Sequence, residues 1–212
     1  MLIALLIFLF GMPIALDLQL FTPGIVRALG FSTLLVVGVG SLRYSGHSFT
    51  AGIVLVIAGL AMNLLHTAWP HSAWNAGSML TLLAFMALAT AGAFRQIAVS
   101  NVVSPNRIIG AICVYLLIGV IWSIIYALLE LLIPGSFGGF AEKMGTTWNP
   151  DWIYYSFVTL TSLGYGDILP LSHLARTFSY METVVGQFYL AVMVAGLVSA
   201  YLAAKSRDRD KH

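Results

Sequence analysis

The chain has 212 residues, of which 59% are hydrophobic and only 8% charged, with a formal net charge of +2. A globular chain carries roughly 25% charged residues, so this composition excludes an ordinary soluble domain and predicts an integral membrane protein. The ten basic residues are spread along the chain, which leaves no patch for nucleic acid.

Six segments are apolar enough to cross a bilayer, for which about 20 residues suffice as α-helix. They lie near 1–16, 23–42, 50–69, 77–95, 107–133 and 175–204. The first lacks a basic leading region and an A-x-A-type cleavage site before Asp17, so it reads as a helix that stays. Arg27 falls near the start of the second, where a long side chain can snorkel to the interface. The fourth has no charge from Gly77 to Phe94, and Arg95 stands alone at its end. The fifth opens on Ser104-Pro105, a capping hydroxyl followed by proline at the first helical position. It carries the single cysteine, Cys113, which reads as a small buried apolar residue.

Between the fifth and sixth segments, Asn149-Pro150-Asp151 repeats the helix-start device, with an acid in the first turn favoured by the helix dipole. The run it opens, Pro150 to Thr161, covers about 18 Å at 1.5 Å per residue and is too short to span. Re-entrant backbone of this kind is tolerated where it is buried in protein or lines a water-filled path. The alternation of a β-barrel is absent. The expected fold class is therefore all-α membrane protein, with six transmembrane helices plus a re-entrant helix and loop. A basic tail, Lys205 to His212, follows the sixth segment; it is expected to leave no room for a cytoplasmic nucleotide- or calcium-binding domain and to act as a short solvated stop signal, with contact to anionic lipid heads as the alternative.

With a cytoplasmic amino terminus, the inner side holds Arg43, Arg95, Arg107, Lys205, Arg207, Arg209 and Lys211, and the outer side Arg27, Lys143 and Arg176. Seven against three favours this orientation under the positive-inside rule. Both termini are then cytoplasmic and the re-entrant loop faces out.

After the short segment comes Thr159-Leu160-Thr161-Ser162-Leu163-Gly164-Tyr165-Gly166-Asp167. This run resembles the selectivity filter of the potassium-channel family, in a prokaryotic-type six-helix subunit with one pore loop. A potassium ion sheds its water where rings of backbone carbonyls replace those oxygens. Turning successive carbonyls one way needs backbone conformations that L-residues resist and Gly164 and Gly166 adopt cheaply. The resemblance assigns ion binding to Ser162, Leu163, Gly164, Tyr165 and Gly166, with the Ser162 hydroxyl completing the innermost site. Ser162 replaces the family's commoner threonine and Leu163 its usual valine.

The likeness is specific over residues 107–204 and architectural before that. Arg176 lies nine residues after Asp167, where the family often has a basic residue, and Gly186 nineteen after it, at the inner-helix gating hinge. Tyr154 and Tyr155 match paired aromatics that brace the filter, the alternative being generic interfacial aromatics. Asp167 is expected to bond a pore-helix aromatic. Glu130 resembles a glutamate that bonds the backbone after the filter, with plain interfacial exposure as the alternative. By offset from Gly186, the pore lining is Gln187, Leu190, Val194 and Val198; Gln187 equally suits a packing contact. One loop per chain, where a carbonyl ring needs four, implies a homotetramer. The implied partners are potassium ions and membrane lipids, with no cofactor, no enzyme activity and no metal beyond potassium. The implied location is a bacterial or archaeal plasma membrane.

The domain reading follows: a four-helix unit over 1–95 resembling a voltage-sensor scaffold, a cytoplasmic linker over 96–106, the pore domain over 107–204 and the tail over 205–212. Moving one charge across 100 mV is worth about 2.3 kcal/mol, and the fourth segment offers only Arg95, so no strong voltage sensor is expected. The rivals are a non-selective cation channel, the pore subunit of a cation transport system, a histidine metal site around His66 and His71, and an intramembrane enzyme. The last lacks a buried carboxylate pair, since Glu130 and Glu182 are expected towards the membrane edges.

Overall fold

In lipid every backbone polar group needs a partner inside its own segment or a closed sheet, and the long uncharged runs accordingly fold as helices. The computed structural model describes residues 2–18, 46–69, 71–99, 105–139 and 148–209. In chain order they form α1 (Leu2–Asp17), α2 (Gly46–Ala68), α3 (Ser72–Val99), α4 (Pro105–Leu132), β1 (Phe137–Gly139), α5 (Pro150–Leu160), β2 (Ile168–Pro170) and α6 (His173–Arg209). Segment 23–42, with Arg27, lies outside the described residues, as do Arg43, Ser104, Lys143, Lys211 and His212. The same holds for the side chains of His66, Arg107, Val198, Lys205, Arg207 and Arg209.

Among the described residues, three helices are long and apolar enough to cross a membrane: Ser72–Arg95, Ile108–Leu132 and His173–Gly196. The apolar stretches of α1 and α2 are shorter, Leu2–Ala15 and Phe49–Leu65. The chain is an integral, essentially all-helical membrane protein. α4 is the hub, packing against α1, α3, α5 and α6, while α2 packs on α3 and α5 on α6. Its inward residues, among them Val114, Leu117, Val120, Ile124 and Tyr126, are buried. α1 reaches α5 as well as α4, and Phe8 stacks on Trp148 just ahead of α5, with ring centroids 6.1 Å apart. Trp148 Nε1 in turn donates to Ser123 Oγ of α4 at 2.9 Å.

The sequence reading has no strand, yet β1 and β2 pair antiparallel, with Phe137 opposite Pro170 and Gly139 opposite Ile168. Three residues on each side give no alternation to read. The pairing depends on close approach instead: a Cβ on Gly139 would collide with the Asp167 carbonyl oxygen. The ladder continues where the amides of Leu171 and Ser172 donate to the Ser136 carbonyl at 2.8 and 3.2 Å. It ties the segment after α4 to the segment after the 162–167 loop.

Candidate functional site

α5 starts as its sequence dictates. Asn149, in extended conformation, accepts from the amides of Asp151 and Trp152 at 2.9 and 3.4 Å, and Pro150 occupies the first helical position. Trp152, Ile153, Tyr155, Ser156, Val158 and Leu160 are buried, which seats the helix inside the protein. At its other end the chain leaves the helix in tight steps. The amides of Thr161 and Ser162 donate to Phe157 and Thr159 carbonyls at 3.1 and 3.0 Å, and those of Leu163 and Gly164 to the Val158 carbonyl at 2.9 and 3.2 Å.

The loop then shows a regular backbone alternation. Ser162, Gly164 and Gly166 have φ of 60°, 61° and 79°, while Leu163 and Tyr165 between them do not enter the positive-φ region. Alternating left- and right-handed residues turn successive peptide units the same way, so that N–H groups gather on one side and carbonyls on the other. Gly164 and Gly166 have nothing within 4 Å of where a Cβ would stand; their requirement is conformational. Ser162 has no such freedom and sits in a conformation costing an L-residue about 1–2 kcal/mol.

α6 closes around the end of α5 at three successive levels. Thr183 Oγ1 donates to the Thr159 carbonyl at 3.2 Å. Gly186 lies where a Cβ would run into the Leu160 carbonyl oxygen and side chain. Gln187 Nε2 donates to Ser162 Oγ at 2.9 Å. α6 runs helical through Gly186, so close approach is the packing reason for a glycine there. The carboxyl end of α5, with its partial negative charge, points its last carbonyls to this junction.

On the other side of the loop, Tyr154 donates its hydroxyl to Asp167 Oδ2 at 2.6 Å and stacks on Tyr165 at 6.4 Å. The expected Asp167–aromatic bond is thus present. Donation to Asp167, with lesser contributions from burial and the nearby charges, pushes the Tyr154 phenol up to about 12. Tyr155 turns the opposite way: it is buried, its hydroxyl lies 2.7 Å from Ser179 Oγ of α6, and its ring packs on Tyr126 and Phe137. Of the pair, Tyr154 is the one with named contacts to the loop among the described residues. Arg176 Nε donates to the Pro170 carbonyl at 3.1 Å, tying α6 to β2.

Two carboxylates differ from expectation. Glu130 does not bond the backbone that follows the loop; it accepts from the amides of Gly135 and Phe137 at 2.8 and 3.1 Å. It thereby shapes the turn into β1 and reaches the loop only through the β1–β2 pairing. Glu182, expected near a membrane edge, is 0% exposed. Tyr126 of α4 donates to its Oε2 at 2.5 Å, and Ser156 Oγ of α5 lies 2.6 Å from its Oε1 and 2.7 Å from the Gly119 carbonyl. One side chain thus links α4, α5 and α6. A signal was available: an acid inside an apolar spanning segment marks a functional position by default.

The remaining positions fall as follows. Gln187, Leu190 and Val194 are exposed, on a span that is 11% buried where the other two are 39% and 44% buried. His71 is exposed and accepts from the Ala73 amide at 3.2 Å, a local cap at the start of α3.

Comparison with known proteins bears on the half of the chain that carries this geometry. Residues 110–203 match the family described as "Ion channel". It is 32% identical over 68 residues to Two-pore potassium channel 3 of Arabidopsis thaliana, a match covering 29% of this chain and 16% of that protein. It is 36% identical over 67 residues to Two pore potassium channel c of Oryza sativa subsp. japonica, covering 31% of this chain and 14% of that protein. The matched stretch is thus a small part of these curated relatives' length. No solved structure matches the chain.

Proposed function

We propose that the protein is a potassium-selective channel subunit whose loop 162–167 is the selectivity filter of a homotetrameric pore. The observation that carries this reading is the alternation of left-handed φ at Ser162, Gly164 and Gly166, directly after a buried half-length helix. Four copies of such a loop around an axis build stacked carbonyl rings of the kind that replace a potassium ion's water. The ion-channel family match and the likeness to two proteins named as potassium channels support the same reading.

In this reading α5 is the pore helix, α4 the outer helix and α6 the inner helix. The scant burial of α6 within one chain fits a helix that packs against neighbouring copies and lines a cavity. Leu190 and Val194 then face that cavity. Tyr154 and Asp167 clamp the outer end of the filter. The subunit has six spans with both termini cytoplasmic, and the first four serve as a scaffold without strong voltage sensing.

The test is a reversal-potential measurement on purified protein in planar bilayers with opposed potassium and sodium gradients. A reversal potential near the potassium equilibrium value is expected, with a conductance–voltage curve lacking several gating charges. Equal permeabilities defeat the selectivity claim, and absence of current defeats the channel reading.

A further inference from the structure

We infer that Gln187 is a specificity-determining residue of the pore, acting through the Ser162 hydroxyl that its amide holds at the inner end of the filter. The inference rests on the channel reading above and adds a residue to it.

Ser162 is the non-glycine member of the left-handed alternation, and a residue in such a conformation persists only where its surroundings over-determine it. Two bonds do so here: its amide donates to the Thr159 carbonyl at 3.0 Å, and its Oγ accepts from Gln187 Nε2 at 2.9 Å. Gln187 is in turn fixed by its own helix. Thr183, four residues earlier, bonds the Thr159 carbonyl, and Gly186 brings α6 flush against Leu160. The amide therefore meets Ser162 at a set height.

A serine hydroxyl has one proton and two lone pairs and rotates to suit its partners. Engaging one lone pair stops that rotation and leaves the other, in a fixed direction, for an ion. In the same pore without the amide, the hydroxyl turns freely and the innermost site loses its definition. Discrimination between ions of different size depends on that definition. Leucine at position 187 fills similar space and offers no donor. Glutamate keeps the reach but accepts a hydrogen bond from the Ser162 hydroxyl instead, which frees both hydroxyl lone pairs and adds negative charge at the inner mouth.

The experiment uses full-length chain in vesicles of phosphatidylcholine and phosphatidylglycerol, measuring potassium and sodium flux and its inhibition by barium, a divalent ion of nearly potassium's size. Gln187→Leu is expected to lower the potassium-to-sodium flux ratio about fivefold, the scale of one neutral hydrogen bond, while potassium flux continues. Ser162→Ala, which removes the hydroxyl ligand as well as the hydrogen bond, is expected to lower the ratio at least as far and to reduce potassium flux, and the double variant to fall no further than Ser162→Ala alone, since the amide then has no hydroxyl to hold. Gln187→Glu is expected to keep the ratio and tighten barium inhibition about fivefold or more. An unchanged ratio in Gln187→Leu, or additive losses in the double variant, overturns the inference and leaves the channel reading standing. Should Gln187→Leu fail to fold, unchanged barium inhibition in Gln187→Glu overturns it instead. Absence of wild-type flux overturns the channel reading and this inference with it.

Discussion

Among the described residues, the two halves of the molecule differ in the contacts that can be named between their elements. From α4 to α6, polar side chains reach between elements: Glu182 to Tyr126 and Ser156, Tyr154 to Asp167, Thr183 to Thr159, Gln187 to Ser162, and Tyr189 Oη to the Ala111 carbonyl at 2.7 Å. In α1 to α3 the contacts that can be named are mostly apolar, with Leu5, Phe8, Met79, Phe85 and Met86 buried and Met62 pressed against Gly77. Two hydroxyls of α3 bond within their own helix, Ser78 to the Asn75 carbonyl and Thr81 to the Gly77 and Ser78 carbonyls. A hydrogen bond fixes distance and direction, whereas dispersion contacts fix only volume. Among the described residues, the directional bonds named above join elements in the stretch that matches the ion-channel family.

The sharpest contrast is expected at Gly164. Its surroundings leave room for a methyl group, so Gly164→Ala should fold; the left-handed φ of 61° then costs about 1–2 kcal/mol. A peptide that relaxes from it turns its carbonyl out of line. Potassium flux in vesicles should fall to background while the thermal unfolding midpoint stays close to wild type. Undiminished flux would show that conduction does not use this backbone.

Next in size is Glu182. Glu182→Val leaves the Tyr126 hydroxyl without its carboxylate partner, at about 1–3 kcal/mol, while the Ser156 hydroxyl keeps the Gly119 carbonyl. Glu182→Gln keeps the shape and an acceptor for one of them, and should lose less. Thermal unfolding in detergent orders the three proteins. If valine matches glutamate in stability, the junction of α4, α5 and α6 is held by packing, and the comparison between the halves fails.

Gly186 separates two accounts of one residue. A glycine needed only for bending predicts that alanine stabilises the helix, by up to about 1 kcal/mol of propensity. Close approach to Leu160 predicts the opposite, since α6 must move off α5 or strain it, at about 1–3 kcal/mol. Unfolding measurements on Gly186→Ala give the sign directly.

These residues also show how far the sequence could be read. Asn149-Pro150 announced α5 and Gly164 and Gly166 the loop, because caps and left-handed positions are local requirements written in neighbouring residues. Glu182 lies 56 positions from Tyr126 and 26 from Ser156, and no local pattern records such a meeting. The same holds for Gln187 and Ser162, 25 apart, and for the three-residue ladder of β1 and β2. For Glu130 a bond to the backbone after the loop and plain interfacial exposure are the sequence alternatives, and the partners it takes lie only five and seven residues on.

The front half supplies the counter-test. Met86 is 0% exposed in the apolar core, and Met86→Leu conserves volume at a cost below about 1.5 kcal/mol. Flux should be unchanged, with a small fall in the unfolding midpoint. A large loss of flux would show that packing around α3 also sets filter geometry.

The smallest effect concerns the clamp between Tyr154 and Asp167. The phenol, ordinarily near 10.0, is pushed up to about 12, chiefly because it donates its proton to the carboxylate. A group whose folded value is raised contributes its full stabilisation below the unfolded value and loses it as pH climbs through the folded one. The clamp should therefore hold undiminished up to about pH 10 and weaken between there and about 12. Tyr154 is 38% exposed, and solvent screening keeps the effect modest. In vesicles taken through that range, wild-type protein should lose potassium-over-sodium discrimination progressively. Tyr154→Phe, with no proton to give, should start slightly less selective and lose this part of the pH dependence. A loss of the same size in both proteins would assign the alkaline change to some other group and leave the clamp without a part in selectivity.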